Sequence, residues 1–253
     1  MRFEDKTIIV TGAGSGIGAA TAARVSAEGA NVVLVGRTQS KLEDTAADLP
    51  KDRTQIVAAD VSVDEDIQRV VDTAVSSFGG IDTLVNNAAI AKGGRIDRLA
   101  PEDFEKMLSI NVSGLYRMTR AAWPHLMARK GNVINVSSVS GLGGDWGMFG
   151  YNTAKGAVSN MTRALALDFK KSQVRVNAVA PSLTYTEMTK GIQGNDALQE
   201  AFAQRIPIGR GAEPAEIADV IAFLASHDAR FVNGVVLPVD GGLTASNGQP
   251  AFG

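Results

Sequence analysis

Ile8-Ile9-Val10-Thr11-Gly12-Ala13-Gly14-Ser15-Gly16-Ile17-Gly18-Ala19 is the stretch on which the fold turns. Its apolar, β-branched start predicts a buried strand, and a helical pattern begins at Ala19. Between them Gly12, Gly16 and Gly18 fall in Gly-x-x-x-Gly-x-Gly spacing. A diphosphate needs backbone N–H donors and a helix N-terminus, and glycine keeps side chains out of its approach. An empty strand–helix turn is the bland alternative. The strand before and the helix after favour a nucleotide site, with Gly12, Ser15, Gly16, Ile17 and Gly18 as its contacts.

Outward from this turn, strand-length apolar runs alternate with helical patterns. Thr7–Val10, Asn31–Val35, Gln55–Ala58, Thr83–Asn86, Asn132–Ser137, Arg175–Ala180 and Val235–Pro238 read as strands apolar on both faces. Amphipathic segments lie near 17–29, 40–48, 64–78, 101–129, 151–170 and 214–226. The alternation predicts an α/β fold: a single-domain, Rossmann-type, doubly wound parallel sheet of about seven strands with helices on both faces. A nucleotide-binding half would span about 1–130, and a catalytic and substrate half about 131–253. Gly79-Gly80 and Gly131 read as helix stops, and Pro101 and Pro214 as first-turn prolines. Residues 182–210 form the least periodic long stretch and read as a lid.

The whole chain, 253 residues with 45% hydrophobic and 21% charged, suits one sizeable core. A net charge of −2 gives no basic field for nucleic acid or an anionic membrane. The absence of cysteine excludes disulfides, thiolate metal sites and cysteine nucleophiles. His125 and His227 stand far apart, so no metal site is expected. The first residues, Met1-Arg2-Phe3-Glu4-Asp5-Lys6, lack a signal-peptide pattern, and no apolar run approaches the ~18 residues of a membrane span. A soluble, cytoplasmic protein is the expectation.

The second strand ends in Gly36-Arg37-Thr38. An acidic residue there would bind adenosine ribose hydroxyls; Arg37, aided by Thr38, instead suits a 2′-phosphate. This favours NADP(H), with NAD(H) still accessible because Ser15 offers no second cation. Asp60-Val61 ends the third strand, where Asp60 either meets the adenine amine or caps the next helix. In Asn86-Asn87-Ala88-Ala89, Asn86 reads as a tie between strands, and Asn87 and Ala88 as cofactor contacts.

The other half carries the chemistry. Tyr151 and Lys155 lie one helical turn apart on the same face. A phenol has a pKa near ~10. A neighbouring ammonium and an oxidised nicotinamide would both stabilise the phenolate. Tyr151 then protonates a carbonyl oxygen or deprotonates an alcohol, and Lys155 also holds the nicotinamide ribose. Ser138, at the end of the fifth strand, is placed to hydrogen-bond the substrate oxygen. Asn111 sits inside a helical pattern, where asparagine needs a reason; a water-mediated link to Lys155 supplies one.

These residues together resemble the short-chain dehydrogenase/reductase family over nearly the whole chain, including Pro181 through Thr186 and the closing Val239-Asp240-Gly241-Gly242. The resemblance implies a catalytic tetrad of Asn111, Ser138, Tyr151 and Lys155. It also implies that Thr186 touches the nicotinamide carboxamide, that Pro181 and Leu183 line its ring, and that the protein is a homotetramer. Ala89 and Ser182 replace glycines usual in the family. Ser140-Gly141-Leu142-Gly143-Gly144-Asp145-Trp146-Gly147 and Thr244–Pro250 further resemble bacterial meso-2,3-butanediol dehydrogenases (acetoin reductases), implying a small hydroxyketone, diketone or diol. Those relatives carry an acidic residue where this chain has Gly36-Arg37.

Ser140, Asp145, Trp146 and Met188 are the expected substrate-pocket residues. Gln249, in the polar tail, is a further one if that tail reaches a neighbouring subunit. Arg129-Lys130 and Lys170-Lys171 close helices, with an acyl-carrier docking patch as the sharper alternative. The leading expectation is an NADP(H)-dependent ketone reductase or secondary-alcohol dehydrogenase acting on a small molecule. The alternatives are a 3-oxoacyl-acyl-carrier-protein reductase and a non-catalytic nucleotide-binding protein.

Overall fold

The computed structural model describes residues 1–168 and 171–249. Among these, seven strands form one parallel sheet: β1 (Thr7–Thr11), β2 (Asn31–Gly36), β3 (Thr54–Ala58), β4 (Thr83–Asn86), β5 (Asn132–Val136), β6 (Arg175–Pro181) and β7 (Val236–Val239). Their order is β3-β2-β1-β4-β5-β6-β7. The chain winds outward from β1 in one direction, then returns to place β4 on the other side. The C-terminal ends of β1 and β4 therefore flank a crevice from which the connections diverge, the usual ligand site of such a sheet.

The helices are α1 (Gly16–Ala27), α2 (Gln39–Ala46), α3 (Asp64–Phe78), α4 (Pro101–Leu108), α5 (Leu115–Arg129), α6 (Phe149–Asp168), α7 (Lys190–Gln193), α8 (Asp196–Arg205) and α9 (Pro214–Ala225). Successive β1 residues feed opposite cores because strand side chains alternate. Ile8 and Val10 join Val25 of α1 and Ile217 and Ile221 of α9. Ile9 joins Val70 and Val71 of α3 and Met118 of α5 on the other face. No helix among the described residues is long and apolar enough to cross a membrane.

Several local expectations are corrected. The segment 101–129 is one helical course, but Ser109–Gly114 is wound as a π-helix between α4 and α5. Gly79 does end α3 in the left-handed conformation. At the end of α5 that conformation falls to Lys130, at φ 50°, not to Gly131. Gly131 instead lies against the Asp82 carbonyl, where no Cβ fits. The stretch 182–210 contains α7 and α8, neither of which buries a side chain. In α8 the inward stripe is only half-buried at Gln199, Phe202 and Ala203, so the apolar signal it leaves in the sequence is weak. Residues 169–170 and 250–253 lie outside the described residues, which takes in Lys170, the helical reading of 169–170, and the tail's last four positions.

Candidate active site

The glycine turn leaves β1 and enters α1 with Ser15 at the cap position. A Cβ on Gly18 would sit 2.1 Å from the Gly12 carbonyl oxygen, so this glycine lets α1 close on the turn. Gly16 has φ 53° and carries the Thr186 methyl directly above it; a Cβ there would be 2.9 Å from Thr186 Cγ2. Asn87 braces the same turn. Its Nδ2 donates to the carbonyls of Thr11 (2.9 Å) and Gly12 (3.2 Å). Asn86 Nδ2 donates to Thr119 Oγ1 and Asn135 Oδ1, which ties β4 to β5 and α5.

Two cavities meet here. One, of about 250 Å³, is lined by Ser15, Ile17, Ser138, Tyr151, Lys155 and Thr186 among others. The second, of about 130 Å³, is lined by Arg37, Asp60, Val61, Ile90 and Ile110 among others. They share Gly12, Ala88 and Ala89. Together they make a groove from Arg37 to Tyr151 across the sheet's carboxyl edge. A larger hollow of about 1120 Å³ lies at the other edge, around Arg2, Lys6 and Arg175, and holds none of the expected site residues.

At the adenosine end, Asp60 neither caps α3 nor stands free. Its Oδ1 accepts from the Ser62 amide and hydroxyl, while Asp66 reaches back to the Asp60 N–H. Burial alone would raise the Asp60 carboxyl, but Ser62 and the nearby Arg37 hold it below its ordinary value. Arg37 lines the cavity, and Thr38, exposed at the start of α2, does not.

At the other end, Ser138 is buried at the close of β5. Its hydroxyl donates to Ser140 Oγ (3.0 Å), and the Ser140 amide donates back to it (3.1 Å). Ser140 in turn donates to the Asp145 carboxylate. Lys155 is buried, and its Nζ donates to the Val136 carbonyl at 2.7 Å. It also lies 5.7 Å from the centre of the Tyr151 ring. Burial pushes the Lys155 ammonium down to about 8. Burial likewise pushes the Tyr151 phenol up to about 12, against the pull of a hydrogen bond with Ser138 and with Asp145 adding to the rise. The expected acidic phenol is thus not a property of the protein alone. Desolvation outweighs the amine, whose hydrogen bond goes to Val136.

Asn111 stands in the π-helical turn and is buried. Its Oδ1 accepts from the Ile90 N–H (2.9 Å), and its Nδ2 donates to the Ile90 carbonyl (2.8 Å). The side chain is therefore committed to the β4–α4 connection. Leu183 lines neither cavity and packs beside Gly211, while Pro181, Ser182 and Met188 line the groove. Trp146 is fully exposed and lines neither cavity. Gln249 is exposed in the tail, where its backbone N–H donates to Asn247 Oδ1. Sequence reasoning noted Ser182 only as a replaced glycine and missed Thr189. Ser182 Oγ donates to the Asp240 carbonyl, and Thr189 Oγ1 to that of Thr184. Both fasten the base of the 182–210 segment.

The groove suits a dinucleotide: a glycine turn without side chains at its middle, a cation at one end, and a phenol, a hydroxyl and a buried amine at the other. The fold and site define an oxidoreductase that uses a nicotinamide dinucleotide. A family model described as enoyl-(acyl carrier protein) reductase matches residues 12–244. The chain is 46% identical over 250 residues to a meso-2,3-butanediol dehydrogenase of Serratia marcescens, covering 99% of each. It is 36% identical to a 3-oxoacyl-acyl-carrier-protein reductase of Thermotoga maritima, over 96% of this chain and 99% of that one. A Caenorhabditis elegans short-chain dehydrogenase/reductase solved with cofactor superposes with a TM-score of 0.91 at 32% identity, covering 98% of both chains. The chain belongs to the short-chain dehydrogenase/reductase family, and it is an enzyme interconverting ketones and secondary alcohols.

Proposed function

We propose that the enzyme reduces small α-hydroxyketones and diketones, and oxidises the matching vicinal diols, with NADP(H) preferred over NAD(H). The observation that carries this reading is the chain from Ser138 through Ser140 to the Asp145 carboxylate, beside Tyr151. A carboxylate only accepts hydrogen bonds. Placed one serine beyond the catalytic hydroxyl, it offers an acceptor for a second hydroxyl next to the reacting carbonyl. A bound nicotinamide supplies the hydride. Tyr151, protonated at neutral pH, gives its proton to the substrate oxygen, and Ser138 holds that oxygen. Lys155 holds the ribose hydroxyls, and Asn111 keeps the π-helical turn in place. Thr186 and Pro181 would hold the nicotinamide end of the cofactor, and Arg37 would hold its 2′-phosphate. The polar tail with Gln249, Trp146 and Met188 complete the pocket within a homotetramer.

Rates of NADPH and NADH oxidation against acetoin, diacetyl, 2-butanone and acyl thioesters test this. Tyr151→Phe should lower turnover by about 10²–10⁴-fold, the usual worth of a positioned acid. Asp145→Ala should lower kcat/KM for acetoin about tenfold relative to 2-butanone, the scale of one hydrogen bond to a charged group. Turnover confined to acyl-carrier-bound substrates would instead select 3-oxoacyl reduction, the reading favoured by the Thermotoga maritima relative.

A further inference from the structure

We propose that Lys41 is a second cation for the 2′-phosphate, and that it is held in reserve by Glu187. The inference rests on the reading that a dinucleotide lies in the groove with its adenosine end at Arg37. Ser15 leaves the glycine turn without a charge of its own, so a single arginine would otherwise face a dianionic group.

The placement of Lys41 supplies the second charge. It lies in the first turn of α2, shortly after Arg37 and Thr38. That turn is packed on the glycine loop. A Cβ on Gly14 would be 3.0 Å from Lys41 Cβ, and Thr45 donates to the Ala13 carbonyl at 3.0 Å. Leu42 meets Gly36, so the same turn also touches the end of β2. The turn that carries Lys41 is therefore packed on the glycine loop and on the end of β2, with the Lys41 side chain about half exposed.

Its ammonium does not point idly into solvent. It donates at 2.5 Å to Oε2 of Glu187, a residue that lines the cavity of about 250 Å³. Glu187 lines the cavity with Ser15 and Gly16 and follows Thr186, which rests on Gly16. Lys41 holds the Glu187 carboxyl below its ordinary value. Both side chains are about half exposed, 46% and 49%. A pair so open to water is weak and easily exchanged. A phosphate offers a doubly charged partner with three acceptor oxygens, which a carboxylate of single charge does not match. Phosphorylated cofactor then takes Lys41 from Glu187 and frees the start of the 182–210 segment. Cofactor lacking the phosphate leaves the pair in place. Lys41 thus both reads the 2′ position and reports it to the segment over the groove.

The test is equilibrium binding by cofactor fluorescence, with NADPH and NADH titrated into the wild type, Lys41→Gln, Lys41→Arg and Glu187→Gln. Adenosine 2′,5′-bisphosphate and 5′-AMP serve as competitors that isolate the adenosine end. Lys41→Gln should weaken NADPH and the bisphosphate about tenfold, the scale of one charge-assisted contact. NADH and 5′-AMP should move by less than about twofold, because neither carries the group that Lys41 reads. Lys41→Arg should restore most of the loss, and Glu187→Gln should tighten NADPH alone. Equal effects on both cofactors, or none on either, would overturn the assignment of Lys41. A wild-type protein that binds neither cofactor would show that the groove reading itself is wrong. Because Lys41 and Glu187 are exposed, unchanged melting curves will separate a binding effect from a folding one.

Discussion

Lys155 is a cation shut away from water with one carbonyl to hold it. Its folded value of about 8 lies below the ordinary 10.5. Between those values the unfolded chain binds more protons than the folded one, so stability rises with pH through that window. Below about pH 8 the cost of burying the ammonium is present in full. The whole window is worth about 3 kcal/mol. Tyr151, raised to about 12, works the other way, but only above its ordinary value of 10.0. Urea unfolding from about pH 7 to 9.5 should therefore show the wild type gaining stability relative to Lys155→Met. Parallel curves would mean that the amine is better solvated than its burial implies. Dinucleotide affinity should fall over the same range as the ammonium is lost. At neutral pH the site thus holds a protonated phenol beside a charged amine, the pairing that carbonyl reduction requires.

One buried side chain ties the π-helical turn between α4 and α5 to the β4–α4 connection. Asn111 satisfies both the donor and the acceptor of the Ile90 residue. Asn111→Ala would leave those backbone groups unpaired in a buried setting, at a cost of about 1–3 kcal/mol. A melting temperature lower by several degrees is the expected result, and an unchanged one would assign the turn to packing alone. The sequence hinted at this element only through an asparagine where a helix disfavours it. The partner lies 21 positions away, beyond the reach of any local pattern. The glycine turn and the Tyr151–Lys155 spacing were legible for the opposite reason: backbone clearance and helical pitch are local. Lys130 shows the limit even there. The chain beside Gly131 is too close to Asp82 for a side chain, so that glycine serves clearance while its neighbour takes the left-handed turn. Leu183 meets Gly211, a contact too far along the chain for any local pattern to report.

Seen whole, the chain carries large apolar groups that water covers. Trp146 and Phe231 are fully exposed, and Leu167 and Ile96 nearly so. In the proposed tetramer such groups are the ones a second copy of the chain would cover. Four 26.4-kDa chains in one particle are expected by sedimentation, and a monomer at micromolar concentration would remove the tetramer from the proposal. The topology was readable because strand and helix periods alternate without interruption, whereas the two short helices within 182–210 were not. The segment 182–210, with α7 and α8, keeps every side chain of those helices at least partly in water, and Ile206 is buried at its far end. Such a segment can accumulate substitutions without disturbing the sheet. New preferences for one small molecule over another can arise there while the proton-handling floor stays as it is, so diversity of diet and constancy of chemistry are lodged in separate parts of the same chain.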